Sequence, residues 1–375
     1  MTPSPESSSS SPRWMRTARH LLDWPQWRDS VRLVPQPSLW ISIVSGLQVA
    51  LSGLLVMAAV YASPWRHLVG FAAIGALTAL FGRFAPLAER RRIVTVCALL
   101  MTLAVLVPSL CALAGATPWM MVGVLTLSVG ALTLLVNHLR LGVPGAVILV
   151  FAVGAALGPV DSVRLVLEHS LATLFGGLAA CGVCMATDGL RRASLVTLQL
   201  PPPARYALRT ELLVAGRVTL GAGLSAFIAY GAGWEHPAWA AIGATAVMQG
   251  AHLHTTMSRA LQRMVGTMAG AALCLLIMSY EPSFWVMVAW MVVFQFATEV
   301  LMGSNYALGQ LTVTPMALMM THMAAAPVQA GAHLPLERVM DTVLGAVLGI
   351  VFAVIFSTAQ ERQHLAQLRS GPARG

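Results

Sequence analysis

Two arginines four residues apart, Arg259 and Arg263, follow a stretch that holds Trp239 and Gln249. That spacing puts both guanidinium groups on one helical face, where they can capture a carboxylate through charge-assisted hydrogen bonds. Arginines at the start of a membrane helix also serve to orient it, so the pair has a topological reading beside the binding one. Two carboxylates keep similar company: Glu168 follows Arg164 by four residues, and Asp341 follows Arg338 by three. Each pair shares a helix face and can neutralise itself as an interfacial ion pair. A carboxylate lining a watery path can instead exchange a proton, and Asp341, deeper in its apolar run, suits that better than Glu168. Asn137, Asn305, Gln310, Thr314 and Pro315 are polar or helix-breaking groups set in or beside apolar runs, near Gly142, Pro144, Gly145 and Gly309. Breaks at matching places in two halves of a membrane protein point to a path for a solute, although proline kinks are also tolerated for packing.

Other chemistries find less support. Cys181 and Cys184 form a C-x-x-C without a second pair or nearby histidines, so the five cysteines read as small packing residues rather than a metal or redox site. His252 and His254 stand two apart without convergent ligands. All 23 basic residues are arginine, so no phosphate loop with its lysine can exist. No His, Asp and Ser or Cys cluster has catalytic spacing; no enzyme activity, cofactor or metal is expected. The basic residues form no stripe with interleaved aromatics, which argues against nucleic acid.

The elements that must position these residues are membrane helices. Of the 375 residues 57% are hydrophobic and only 10% charged, so lipid is the solvent for most of the chain. Apolar runs at 39–61, 67–81, 93–113, 119–136, 143–157, 163–186, 212–230, 238–250, 264–278, 284–302, 307–323 and 339–356 predict an all-α integral membrane protein of about twelve transmembrane helices. Residues 1–37 read as a disordered Ser/Pro tail and a basic interfacial segment, 38–187 as a first six-helix repeat, 188–210 as a cytoplasmic linker with Pro201-Pro202-Pro203, 211–358 as a second six-helix repeat, and 359–375 as a cytoplasmic tail. The net charge of +9 resides in arginines between the runs, which places both termini in the cytoplasm and the chain in a bacterial-type inner membrane.

The two halves share a register. Ala72-Ala73-Ile74-Gly75-Ala76 recurs 168 residues later as Ala240-Ala241-Ile242-Gly243-Ala244, and Asn137 returns as Asn305. Glu168, Thr173 and Gly176 return as Glu337, Thr342 and Gly345 at a shift of 169. An even number of crossings per half makes the repeats parallel.

Within 239–270, Trp239, Thr245 and Gln249 precede Arg259-Ala260-Leu261-Gln262-Arg263-Met264-Val265-Gly266-Thr267-Met268-Ala269-Gly270. This stretch resembles the fusaric acid resistance, or aromatic acid exporter, family, as do 305–318 with Thr314-Pro315 and 337–345 with Asp341-Thr342. The resemblance covers the second half and is weak in the first; the long soluble region of many members is missing. It implies an inner-membrane exporter of small organic, chiefly aromatic carboxylic, acids coupled to protons, and in some relatives a periplasmic adaptor protein. In this reading the anion passes Arg259, Arg263, Gln249, Trp239, Asn137, Asn305, Gln310, Thr314 and Pro315, while Asp341 or Glu168 carries the proton. The expected partners are the anion and membrane lipid; an adaptor and a homo-oligomer stay open. So do a passive anion channel and a non-transporting membrane scaffold or assembly partner. The major facilitator plan fits less well, because its loop signature meets Pro86 where an Asp is needed.

Overall fold

A computed structural model describes residues 33–191, 207–249, 253–324 and 334–356. The tail and nearly all of the interfacial segment, the triple proline, Gly250, His252 and the C-terminal tail fall outside the described residues. In chain order the helices are α1 (Leu39–Tyr61), α2 (Val69–Ala76, between short 3-10 turns), α3 (Leu87–Leu113), α4 (Pro118–His138), α5 (Ala146–Ala155) and α6 (Val163–Ala186). They continue as α7 (Leu208–Gly231), α8 (Pro237–Met248), α9 (Leu253–Met278), α10 (Phe284–Met302), α11 (Tyr306–Ala324) and α12 (Leu334–Ile355). Local chemistry sets several starts. Ser38, Thr117 and Ser162 cap α1, α4 and α6 by accepting from a backbone N–H three residues on, and Pro118 occupies the first position of α4, where its missing N–H costs nothing.

The helices are turned inside out relative to a water-soluble bundle. On α1, Leu47, Leu51 and Leu55 face outward while Ser45, Gln48 and Ser52 are buried; on α3, Leu99, Leu103 and Leu110 are exposed while Arg90 is buried. Such a surface is stable only against lipid. The chain is a multi-pass membrane protein. Among the described residues eight helices are long and apolar enough to cross a bilayer. The expectation of about twelve crossings meets a difference here: the runs at 67–81, 143–157 and 238–250 become shorter apolar helices of 10–17 residues, Arg66–Leu80 with its turns, Ala146–Ala155 and Pro237–Met248, and the run at 307–323, helix α11, is not among the eight either. At about 1.5 Å per residue, α5 and α8 rise only about 15 and 18 Å, well short of a hydrocarbon core of about 30 Å.

The repeated sequence fragments meet each other in space. α2 packs on α6 and α8 packs on α12. A Cβ on Gly176 would come 2.0 Å from the carbonyl oxygen of Ala72, and one on Gly345 would come 2.3 Å from that of Ala240, so glycine is required for both approaches. Each half also grips the other twice, α1 against α10 and α4 against α7, with α5 on α8 and α2 on α11 besides. One end of the bundle gathers Arg83, Arg90, Arg91, Asp188 and Glu299. At the other, Tyr61 stacks on Phe284, and Trp119 meets Tyr230 edge-on.

Candidate functional site

The polar residues of the second half converge between α8, α9, α11 and α12. Arg263 is 1% exposed, and its Nη1 donates to Tyr306 Oη and Gln310 Oε1, each at 3.2 Å. Its Nε and Nη2 have no partner. Gly266 and Gly270 let α9 approach closely enough for this: Gly266 lies against Ala307 and Gln310, and Gly270 against Leu311, Thr314 and Pro315. From α12, Arg338 is 2% exposed and lies 5.0 Å over the Trp239 ring, a cation–π contact, while its Nε and Nη1 are also without partners. The charges of Arg263 and Asp341 and the Tyr306 hydroxyl all act on Arg338. Asp341 is fully buried, and neither of its oxygens accepts a hydrogen bond. Thr267, Thr314 and Thr342 add buried hydroxyls without partners.

At the rim of this region, Glu337 accepts from the His236 backbone N–H at 2.7 Å and lies 3.1 Å from His236 Nδ1, and the His236 ring stacks on Trp239 at 4.4 Å. Glu235, His236 and Glu337 bring three potential ligand atoms within 4.8 Å of one another, but the hydrogen bonds already made to Glu337 explain its position.

Several expected site residues take other places. Arg259 and Arg263 do not act as a surface pair, because Arg263 points into the bundle, whereas Arg259 stays half-buried. Arg338 and Asp341 share a helix but form no ion pair within hydrogen-bonding reach. Arg164 and Glu168 do pair, at 2.7 Å, with His67 3.2 Å away, on an exposed rim. Asn305 is buried and accepts from Ala307 N at 2.8 Å, opening α11 as its cap; Asn137 is exposed on the last turn of α4. Gln249 bridges the halves: with its amide oriented to satisfy both groups, it donates to Pro144 O at 3.2 Å and accepts from Ala146 N at 3.0 Å. Gly142 and Gly145 have φ of 72° and 77°, so the break before α5 is a true loop. The corresponding break at Pro315 is not one, since α11 runs through it as a helix. All five cysteines are free thiols.

Sequence reasoning missed a second buried network at the arginine-rich end. Arg90 donates to Gln48 at 2.7 Å and stands 3.7 Å from Asp188, which also accepts from Arg91 at 3.0 Å. Arg191, fully buried, donates to the carbonyl of Arg83; burial first, then the neighbouring Arg90 charge, pushes its guanidinium down to about 10. Arg83 lies 3.6 Å from Glu299 across the α1 and α10 contact. By sequence these arginines read as loop charges that set topology. Glu299, an acid inside an apolar run, was the signal that could have exposed the network.

Residues 224–352 match the family model described as Fusaric acid resistance protein-like. That region is fusaric acid resistance protein-like. The match bears out the resemblance seen at Trp239, Arg263, Gly266, Thr314 and Asp341, and it contains every residue of the buried Arg263, Arg338 and Asp341 neighbourhood. No curated protein matches the chain, and no solved structure does.

Proposed function

We propose that this membrane protein is a transporter that exports small organic acids, chiefly aromatic carboxylic acids, across an inner membrane. Arg263 and Arg338 receive the carboxylate inside the second half, and Asp341 exchanges the coupling proton beside them. The observation that carries this reading is the set of idle groups: two nitrogens on each guanidinium and both Asp341 oxygens, all buried in one neighbourhood without partners. Buried polar groups are nearly always hydrogen-bonded, and an unmatched set facing one region is what a site for an anion and its water leaves behind. Tyr306 and Gln310 hold Arg263 in place for this role.

The paired contacts of α2 with α6 and α8 with α12, built from the repeated fragments, support a reading of two parallel six-helix repeats divided near 188–210. The arginine-rich end then faces the cytoplasm, with both termini on that side. Uptake of a panel of labelled aromatic acids into inverted membrane vesicles, with and without an imposed proton gradient, tests the proposal. Gradient-dependent accumulation that vanishes in Arg263→Gln is the expected result. Anion currents that persist without a gradient would replace it with a passive channel, and no flux in either condition would favour a scaffold or an adaptor-dependent assembly.

A further inference from the structure

The arginine-rich end carries more positive charge than its carboxylates balance. Arg90, 1% exposed, donates from Nη2 to Gln48 Oε1 at 2.7 Å, and Gln48 in turn donates to Thr187 Oγ1 at 2.6 Å. Its Nη1 stands 3.7 Å from Asp188 Oδ1, too far for a hydrogen bond, and its Nε has no partner. Asp188 Oδ2 accepts from Arg91 Nε at 3.0 Å. Arg191, fully buried, spends Nη2 on the carbonyl of Arg83 and leaves Nε and Nη1 idle. Arg83 and Glu299 offset each other. Among the described residues, the guanidinium groups of Arg90, Arg91 and Arg191 therefore stand against the one carboxylate of Asp188, and three positive charges against one negative leave a surplus of two.

A narrow cleft opens between the start of α3 and the end of α6, and its walls include Arg90, Arg91, Cys184, Met185 and Asp188. Arg91 stands at its mouth, with a side chain 54% exposed. Arg191 acts on the same place, since its charge and that of Arg90 both reach the Cys184 thiol. Surplus charge out of water is costly unless it is paired, and idle buried donors beside a cleft are what a bound anion leaves behind. Two features set the depth and surroundings of the cleft. Trp40, half exposed, donates its indole N–H to Leu190 O at 3.0 Å just past the end of α6, as a tryptophan at the level of the lipid headgroups does. On α6, Leu178 and Met185 face outward, and an added Cβ on Gly182 between them would meet nothing within 4 Å, which makes an apolar furrow leading away from the cleft.

We infer that this cleft binds a phosphate group, with Arg91 at the mouth and Arg90 inside donating to its oxygens and Arg191 supplying charge close by. Guanidinium forks match phosphate oxygens in pairs, and basic pockets between membrane helices suit the headgroups of anionic lipids. Two sources reach this depth: the headgroup of an anionic phospholipid, whose chain would lie along the Gly182 furrow, and a phosphate in solution. Neither involves Arg263 or Arg338, so the site stands apart from the proposed anion path and holds whether or not the protein transports.

For the test, the full chain in a neutral detergent is titrated with phosphatidylglycerol, phosphatidylcholine or inorganic phosphate. Apparent affinity is read from the rise of the unfolding midpoint with concentration. Phosphatidylglycerol should act at about a tenth of the concentration that phosphatidylcholine needs. Arg91→Gln, at an exposed position that leaves the fold intact, should weaken that affinity about tenfold. Arg92→Gln removes the same charge from an exposed side chain that donates to Leu139 O outside the cleft, and it should change the affinity by less than about twofold. Asp188→Asn, which removes the competing carboxylate, should bind more tightly. A response to phosphatidylglycerol alone assigns the site to lipid, and a response to inorganic phosphate that Arg91→Gln abolishes assigns it to a soluble anion. Equal affinities for the two lipids with no response to phosphate, or equal losses in Arg91→Gln and Arg92→Gln, would overturn the site, because the surplus charge would then act only as a diffuse field. Arg263→Gln should bind as the parent does, so a failure of the proposed anion path and a failure of this site give different results.

Discussion

At matching positions of the sequence register the two halves carry similar packing and the same His–Glu pair but a different buried interior. In the first, Phe71 stacks on His169 at 3.9 Å, and His67 meets Glu168 at 3.2 Å. In the second, Trp239 lies under Arg338, and His236 meets Glu337 at 3.1 Å. Where the second half has Asp341 the first has Ala172, and where it has Arg263 the first has Thr95. One helix pair, α2 with α6, is thus a neutral joint; its counterpart, α8 with α12, borders a charged interior. Small residues at the close approaches preserve the geometry in both, which leaves the remaining positions free to diverge. The buried Arg263, Arg338 and Asp341 lie in the region the family model matches.

The comparison breaks first at the arginines. Truncating one member of a buried, hydrogen-bonded charge set costs about 2–5 kcal/mol, so Arg263→Gln or Arg338→Gln should reduce labelled-acid uptake by on the order of a hundredfold. His169→Gln, at the equivalent place in the first half, should change it by less than about twofold. Equal losses in both halves would dissolve the asymmetry. Asp341→Asn should come next: accumulation driven by a proton gradient is lost while exchange of labelled for unlabelled acid continues, because the anion site survives and the proton carrier does not.

The shared packing predicts similar losses in both halves. Gly176→Ala and Gly345→Ala each drive a methyl into a backbone carbonyl, and each should destabilise the protein by about 1–3 kcal/mol, read as a lower unfolding midpoint in detergent. A loss confined to one variant would contradict the equivalence of the two joints. The smallest effect belongs to Glu168→Gln, whose partners lie on an exposed rim. Its uptake and its pH dependence should match the parent.

Much of this was legible in the sequence because lipid leaves few ways to fold an apolar chain. Helices and their order follow from hydropathy, and the fragments that hold Gly75, Gly176, Gly243 and Gly345 stood out as repeats. Asp341, Gln310 and Thr314 stood out as polar groups in apolar runs, and they are buried. What sequence could not supply was the direction of a side chain. Arg263 reads as one of a surface pair until Tyr306 and Gln310 are seen to hold it inside, and Arg338 reads as an ion-pair partner until it is found over Trp239. Arg83, Arg90 and Arg191 lie in or near loops, where the positive-inside rule explains them too readily, and their burial depends on how α1, α3, α6 and α10 end together. Helix length was the other blind spot: an apolar run of fifteen or so residues counts as a crossing by composition, yet Gly142, Gly145 and Gln249 cut α5 and α8 short.

The most direct measurement is labelled aromatic-acid uptake into inverted vesicles holding equal amounts of the parent chain, Arg263→Gln or His169→Gln. The account predicts gradient-driven accumulation for the parent and His169→Gln, and its near-complete loss for Arg263→Gln. Undiminished accumulation in a well-folded Arg263→Gln variant would show that the anion does not pass through the charged interior of the second half.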